Sequence, residues 1–201
     1  MSYRGKRALD LALTIPALLA SLPVQVVTAL VIRLTMGRPV LFRQERPGIG
    51  GHPFTMLKFR TMLLPDPDRG LVTDAARMTR IGGFLRSTSL DELPTLWNIM
   101  RGDMSVVGPR PLLMSYLPRY SPEQSRRHEV RPGLTGLAQI SGRNSISWDA
   151  KFAYDVEYVD AHDLKLDLRI ILGTAIQVLR RNGISAEGEA TMPEFMGTGT
   201  A

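Results

Sequence analysis

The hydrophobic pattern of the chain begins with one long apolar segment. No charged residue occurs from Leu11 to Ile32. A helix of that length measures about 33 Å, which is enough to cross the hydrocarbon core of a bilayer. A core helix of a soluble protein is rarely apolar on every side over so many turns. The pattern therefore predicts a helix that contacts a membrane.

Charges and prolines indicate how this helix meets the membrane. Basic residues flank both ends: Arg4, Lys6 and Arg7 before it, Arg33 and Arg38 after it. Basic flanks prefer the cytoplasmic side, and Pro16 and Pro23 share a helix face and bend it in one direction. We predict a re-entrant anchor over residues 1–36 and a cytoplasmic-face domain over 37–201. A signal peptide and a plain transmembrane helix are the alternatives.

Shorter elements follow Gly37. Val40–Gln44 and Phe54–Met62 read as strands separated by glycines, which predicts a hairpin. In the second strand Lys58 and Arg60 alternate with apolar residues, so both basic groups are expected on one face. The simplest interpretation of that face is a solvated sheet surface.

An apolar stripe at helical spacing comes next. Its members are Leu93, Leu96, Trp97 and Met100. Pro94 is tolerated only in a first turn, so the helix should begin near Leu90 or Asp91. Asp91 and Glu92 then lie at the N-terminus of the helix, the positive end of its dipole. Asp91 is expected on the face opposite the apolar stripe. First-turn acids stabilise any helix, and Ser89 with Glu92 matches a capping box, so a purely structural role stays open.

The last periodic segment predicts a helix over Leu164–Arg181. Its broad apolar face, with Leu168, Leu172 and Ile176, suits either core packing or a membrane interface. The predicted fold class is α+β: a single domain with an N-terminal re-entrant membrane helix, interfacial helices and a small β-hairpin.

Composition narrows the chemistry. The net charge is +6, and it comes from 21 arginines and only 4 lysines. Arginine binds phosphate as a planar fork, although codon bias in a GC-rich genome explains the same excess. There is no cysteine, so a metal would need oxygen ligands, as Mg²⁺ does. Aromatic residues make up 6% of the chain, which argues against single-stranded nucleic acid as a partner.

Three arginines stand where they could meet a phosphate. Arg86 precedes Asp91 by five residues, Arg110 is held between two prolines, and Arg143 follows a glycine in a turn-rich stretch. Arginines in rigid loops commonly bind ligands, while a basic surface loop is the plain alternative.

These segments carry a resemblance that covers nearly the whole chain. The motifs are K-R-A-L-D at Lys6–Asp10, Q-E-R-P-G at Gln44–Gly48, K-F-R-T-M at Lys58–Met62, S-T-S-L-D-E-L-P at Ser87–Pro94, G-D-M-S-V-V-G-P-R-P-L at Gly102–Leu112, R-P-G-L-T-G-L-A-Q at Arg131–Gln139 and G-R-N-S-I-S-W at Gly142–Trp148. The chain resembles the small monotopic phosphoglycosyl transferases of the bacterial sugar-transferase family. One departure is Leu22 before Pro23, where the family often has serine; here the serine is Ser21.

The resemblance implies catalytic roles. Asp91 would attack the phosphate that bears the sugar, UMP would leave, and polyprenyl phosphate would take the phospho-sugar. Glu92 would orient the acceptor phosphate or help deprotonate it, and Mg²⁺ would lie near Asp91. Substrate contacts are expected from Arg86, Arg110, Arg143 and Lys58.

The resemblance also implies partners: a UDP-sugar, undecaprenyl phosphate and bilayer lipid at the cytoplasmic face of the bacterial inner membrane. The end of the chain, 183–197, resembles members that start protein glycosylation, which favours an N-acetylated amino sugar such as UDP-diacetylbacillosamine. Another UDP-hexose, for exopolysaccharide or O-antigen priming, is the first alternative. The second is a basic, membrane-peripheral binding protein without catalysis. A homodimer is left open.

Overall fold

The structure, a computed structural model, describes residues 3–142, 146–180 and 194–197. One long N-terminal helix lies along a body made of short helices and two small sheets. The helices are α1 (Lys6–Thr35), α2 (Asp74–Arg77), α3 (Arg80–Ser87), α4 (Thr95–Arg101), α5 (Pro122–Ser125), α6 (Leu137–Ile140), α7 (Trp148–Ala161) and α8 (Leu164–Arg180). The strands are β1 (Leu41–Pro47), β2 (Pro53–Phe59), β3 (Ser105–Val107) and β4 (Gly133–Thr135). β1 and β2 form an antiparallel hairpin, and β3 pairs in parallel with β4. The predicted α+β class is confirmed.

The helix α1 buries mostly polar side chains and exposes apolar ones, which is the reverse of the pattern in a helix of a soluble protein. The helix is continuous, with Pro16 and Pro23 inside it. The side chains it buries against the body are mostly polar: Lys6, Asp10, Thr14, Leu18, Gln25, Thr28 and Ile32. Its exposed side chains are large and apolar, including Leu19, Val26, Val27, Leu30 and Leu34. Only 17% of its most apolar stretch is buried, and no other helix in the described ranges is long and apolar enough to cross a membrane. The predicted membrane contact is therefore supported, because a core helix would be mostly buried.

Both ends of α1 are fastened to the same body. Near its start, the Lys6 Nζ lies 2.6 Å from a carboxylate oxygen of Asp167 in α8. At its end, the Arg60 guanidinium donates to the carbonyls of Met36 (2.6 Å) and Gly37 (2.9 Å). These contacts hold the two ends of the helix against one surface.

The hairpin and α4 form the platform beneath the site. Thr95 donates to the carbonyl of Leu57 in β2, and Asn98 accepts from the Leu57 amide and donates to the Thr55 carbonyl. The polar face of α4 is therefore buried, whereas Trp97 of the predicted apolar stripe is 43% exposed. Polar side chains that satisfy strand backbone groups can be buried at low cost.

Two sequence predictions in this region are wrong in detail. A separate 3-10 turn, Leu90–Glu92, precedes α4, which begins at Thr95. Ser89 has φ 57° and makes no side-chain cap, so the predicted capping box is absent. The amide of Glu92 donates to the backbone carbonyl of Ser89 at 3.2 Å, so it is not bound by the Ser89 hydroxyl.

The predicted C-terminal helix is confirmed as α8, but only part of its apolar face packs in the core. Ile171, which belongs to that face, packs against a core cluster that includes Ile170. Leu168 is 50% exposed, Leu172 63% and Ile176 41%. Core packing therefore accounts for one side of the face, and the exposed side suits an apolar interface.

Candidate active site

The candidate site lies in the 3-10 turn that links α3 to α4. This turn carries Asp91 and Glu92 side by side, above the end of β2. Asp91 is a buried residue with 9% of its surface exposed. Adjacent acids in such a turn would repel each other, so their surroundings decide what each can do.

Glu92 is held by two cations. Its Oε1 accepts from the Lys58 Nζ at 2.6 Å and from the Arg110 guanidinium at 2.8 Å. Burial alone would raise the pKa of Glu92, but the charges and hydrogen bonds of Arg110 and Lys58 outweigh it and lower the pKa to about 2. Glu92 is therefore a permanently ionised anchor and a weak base.

Asp91, in contrast to Glu92, is not paired with a cation in the described part of the chain. Its carboxylate has no hydrogen bond or ion pair with any residue that the structure describes. Burial, and then the negative charge of Glu92, raises the pKa of Asp91 to about 6. The cations that oppose this shift are Lys58, Arg86 and Arg110. Asp91 therefore keeps free lone pairs within a cationic surrounding, as a nucleophile or metal ligand requires.

Arg86 is placed by the packing of α3 on the segment after β2. Its Nε donates to the Thr61 hydroxyl at 3.1 Å. Gly82 makes this packing close, because a Cβ there would lie 1.8 Å from the Thr61 carbonyl oxygen. The terminal nitrogens of Arg86 have no partner among the described residues, and its charge acts on Asp91.

Arg110 stands on a loop seated by tight backbone contacts. The Gly108 amide donates to the carbonyl of Thr135, and the Gly133 amide donates to that of Pro109. A Cβ at Gly108 would lie 2.4 Å from the Arg131 carbonyl oxygen. The loop therefore depends on glycine, and it delivers the Arg110 side chain to Glu92.

The structure brings together most, but not all, of the predicted site. Lys58, Glu92 and Arg110 are in contact, and Asp91 and Arg86 are coupled through their charges. Arg143 lies outside the described residues. The predicted solvated face of β2 is wrong: Lys58 binds Glu92, and Arg60 binds the end of α1.

Sequence reasoning missed several supporting residues. Thr61, which binds Arg86, lies within the K-F-R-T-M motif, but nothing in its position along the sequence distinguishes it as a site residue. Asp155 is buried on α7 among Phe152, Val156 and Val159. A lone acid on the apolar face of a helix is a signal that could have revealed it.

A magnesium site would need oxygen atoms from the substrate. No three His, Asp or Glu side chains converge within the part of the chain that the structure describes. Mg²⁺ in enzymes of phosphorylated substrates is commonly held by one or two carboxylates together with phosphate oxygens and water. The free carboxylate of Asp91 fits that arrangement, so the residues present are compatible with the predicted Mg²⁺.

Fold and site together define a membrane-associated protein with an acid pair set among cations. The chain belongs to the bacterial sugar transferase family, whose family model matches residues 1–181. The predicted identification as a sugar-transferring enzyme is thereby confirmed.

Three relatives illustrate the range of the family. The chain is 49% identical over 195 residues to the uncharacterized sugar transferase EpsL of Bacillus subtilis, covering 96% of both chains. It is 43% identical to the UDP-glucose:undecaprenyl-phosphate glucose-1-phosphate transferase of Caulobacter vibrioides, covering 87% of this chain and 69% of that protein. It is 37% identical to the undecaprenyl-phosphate galactose phosphotransferase of Salmonella typhimurium, covering 89% of this chain and 41% of the relative.

Proposed function

We propose that this protein transfers a sugar 1-phosphate from a UDP-sugar to undecaprenyl phosphate and releases UMP. The observation that supports this most directly is the contrast between the two adjacent acids. Glu92 is neutralised by Lys58 and Arg110, whereas Asp91 is unpaired in the described structure and faces the same cations. A reaction on phosphorus needs both a free nucleophile and positive charge nearby.

The reaction has two displacements. In the first, a carboxylate oxygen of Asp91 bonds to the phosphorus that bears the sugar, and the bond from that phosphorus to the bridging oxygen breaks, so UMP leaves. In the second, a phosphate oxygen of the acceptor bonds to the same phosphorus, and the Asp91 carboxylate is released. Mg²⁺ would neutralise charge on the diphosphate. Arg86 and Arg110 bind the phosphoryl oxygens, and Glu92 orients its cations, a role that its low pKa favours over that of a base.

Two donor classes are proposed for testing. The relatives with named substrates use UDP-glucose or galactose, which favours a UDP-hexose and the priming of a surface polysaccharide. The resemblance of residues 183–197 to members that start protein glycosylation favours UDP-diacetylbacillosamine. Residues 194–197 are the described part of that tail. A donor panel decides between the two.

We propose that the isoprenoid chain of the acceptor binds in an apolar groove between α1 and α3. The groove has a volume of about 590 Å³, and Leu90, the residue before Asp91, is among the residues that line it. Its walls include Val27 and Phe84, which are exposed and continue the apolar surface of α1. An isoprenoid chain could pass from the bilayer along this groove and place its phosphate at Asp91.

We propose attachment to the inner membrane by one face, which the two fastened ends of α1 support. Lys6 and Met36 both contact the body, whereas a helix that spanned the bilayer would carry one of its ends to the opposite side, away from the body. We propose a re-entrant anchor over residues 1–36 and a catalytic domain over 37–201 at the cytoplasmic face. Because the chain has no cysteine, Arg4→Cys and Arg38→Cys can be labelled separately with an impermeant reagent. Labelling from opposite sides would overturn this placement.

The decisive experiment measures UMP release from UDP-glucose, UDP-galactose and UDP-diacetylbacillosamine in lipid nanodiscs with Mg²⁺ and undecaprenyl phosphate. We expect one donor to support release by the native protein and a loss of about a thousandfold or more in Asp91→Asn. Asp74→Asn, which removes an exposed acid outside the site, is the matched control. Equal release by Asp91→Asn would contradict the assignment of the nucleophile.

A second assay tests the covalent step. With donor labelled in its sugar and no acceptor present, acid quenching should leave label on the native protein and none on Asp91→Asn. Label-free native protein that still makes product would indicate direct transfer. If the native protein released no UMP from any donor, the result would favour the alternative of a basic, membrane-peripheral binding protein without catalysis.

A further inference from the structure

A buried ion pair lies behind the loop that carries Arg110. Asp155 of α7 accepts from Arg127 through a single oxygen, Oδ2, at 3.0 Å from Nε and 2.7 Å from Nη2. Only 2% of the Arg127 side chain and 5% of the Asp155 side chain are exposed. The pair is thus removed from water at a high desolvation cost, and such pairs contribute little net stability.

Arg127 also donates to two groups outside the ion pair. Its Nη2 also donates to the backbone carbonyl of Arg110 at 2.7 Å, and its Nη1 donates to the Tyr120 hydroxyl at 3.1 Å. The rings of Tyr120 and Phe152 lie against its guanidinium. One planar group therefore joins α7, an aromatic cluster and the backbone of a residue that contacts Glu92.

The neighbouring arginine shows what an ordinary surface arginine does in this segment. Arg126 binds Glu123, Glu129 and Asp160, all of them exposed acids, and forms no ion pair with a site residue that the structure describes. Arg127, one position later, is turned inward and spans 17 positions of sequence to reach Arg110. The difference lies in orientation, because the residue type is the same.

We infer that Arg127 and Asp155 are positioning residues for the transfer reaction, acting by fixing the backbone of Arg110 so that its guanidinium meets Glu92 and the substrate phosphates. Pro109 and Pro111 already restrict the φ angles of the loop. The bond from Arg127 fixes the carbonyl between them, so the direction of the Arg110 side chain is set before substrate arrives. This inference rests on the proposed function.

Arg127→Lys tests the inference with little change in charge. A lysine ammonium can neutralise Asp155 but cannot reach Asp155, Tyr120 and the Arg110 carbonyl together, because it lacks the fork. We expect kcat/KM for the donor to fall ten- to a hundredfold, with the melting transition retained. Arg126→Lys is the matched control and should stay within twofold.

A double-mutant cycle separates positioning from general structural support. If Arg127 acts through Arg110, then Arg127→Lys should cost less than twofold when introduced into Arg110→Gln. An equal fold-loss in both backgrounds would overturn the inference, because it would show that the ion pair acts on the fold as a whole.

Hydrogen–deuterium exchange of the loop over residues 108–112 gives a readout that does not depend on turnover. The loop amides should exchange several-fold faster in Arg127→Lys and at the native rate in Arg126→Lys, while exchange in α4 stays unchanged in both variants. Unchanged exchange of the loop in Arg127→Lys, or faster exchange in α4 as well, would overturn the inference. Failure of every donor in the native protein would instead overturn the proposed function, and the exchange measurement would still decide whether Arg127 holds the backbone of Arg110.

Discussion

The molecule contains two clusters of acids and bases with opposite designs. The first lies under the start of α1, where Asp167 accepts from Lys6 at 2.6 Å, from Tyr3 at 2.7 Å and from Tyr158 at 2.8 Å. In the second, around the acid pair, Glu92 is fully paired but Asp91 is not. The first cluster is closed, because three donors surround the Asp167 carboxylate. The second is open, with more cations than acids.

The difference separates structural from functional charge. A closed buried network holds its partners in one arrangement, and removal of one member leaves an uncompensated charge. An open cluster with a surplus of cations is complete only when an anionic ligand is bound. The two clusters should therefore respond in opposite ways to the loss of an acid.

Asp167→Asn should cause the largest change. It leaves the Lys6 ammonium buried with Asp10, 4.0 Å away, as its nearest acid. We expect the free energy of unfolding to fall by about 3–5 kcal/mol, measured by denaturation in detergent or nanodiscs. Asp160→Asn removes the exposed partner of Arg126 and should cost at most about 1 kcal/mol. Similar losses of stability in Asp167→Asn and Asp160→Asn would mean that the first cluster does not act as a closed buried network.

Asp91→Asn should change the free energy of unfolding in the opposite direction. Burial of a carboxylate with a pKa raised from 3.8 to about 6 disfavours its charged form, so the cost is fully present above pH 6 and absent below pH 4. The variant should therefore be more stable than the native protein by about 2 kcal/mol at pH 8. This gain should vanish as the pH falls through the interval between the two pKa values. A gain that is the same at pH 8 and pH 4 would contradict the raised pKa.

Val27→Trp probes the acceptor side of the open cluster. The larger ring should fill the groove that Leu90 helps to line. It should lower kcat/KM for undecaprenyl phosphate by about tenfold, equivalent to about 1.4 kcal/mol. Covalent labelling by donor alone should be unchanged. Val26→Trp is the control, since Val26 is 65% exposed but does not line the groove. Equal losses in both variants would place the effect in the membrane anchor.

The sequence predicted those parts of the molecule that depend on local pattern. The apolar run predicted α1, and the glycine-separated strands predicted the hairpin. The spacing around Pro94 placed Asp91 in the first turn of a helix, where the structure has a separate 3-10 turn before α4. The sequence could not show which face of α4 or α8 is buried, because that depends on which other parts of the folded chain lie against each helix. The roles of Arg126 and Arg127 could not be separated either, since adjacent arginines differ only in how the folded chain directs them.

Ser89→Gly should cause the smallest change and concerns the turn that presents Asp91. Ser89 is the only described non-glycine residue with a positive φ, a conformation that costs about 1–2 kcal/mol for residues with a Cβ. Glycine should relieve part of that strain and raise the free energy of unfolding by about 1 kcal/mol. Ser87→Gly, in α3, is the matched control and should lower stability by about 0.5–1 kcal/mol. A loss of stability in Ser89→Gly would mean that contacts of the serine side chain outweigh the backbone strain. A gain in stability together with a lower rate of sugar-phosphate transfer would show that the strained turn holds Asp91 in its reactive position.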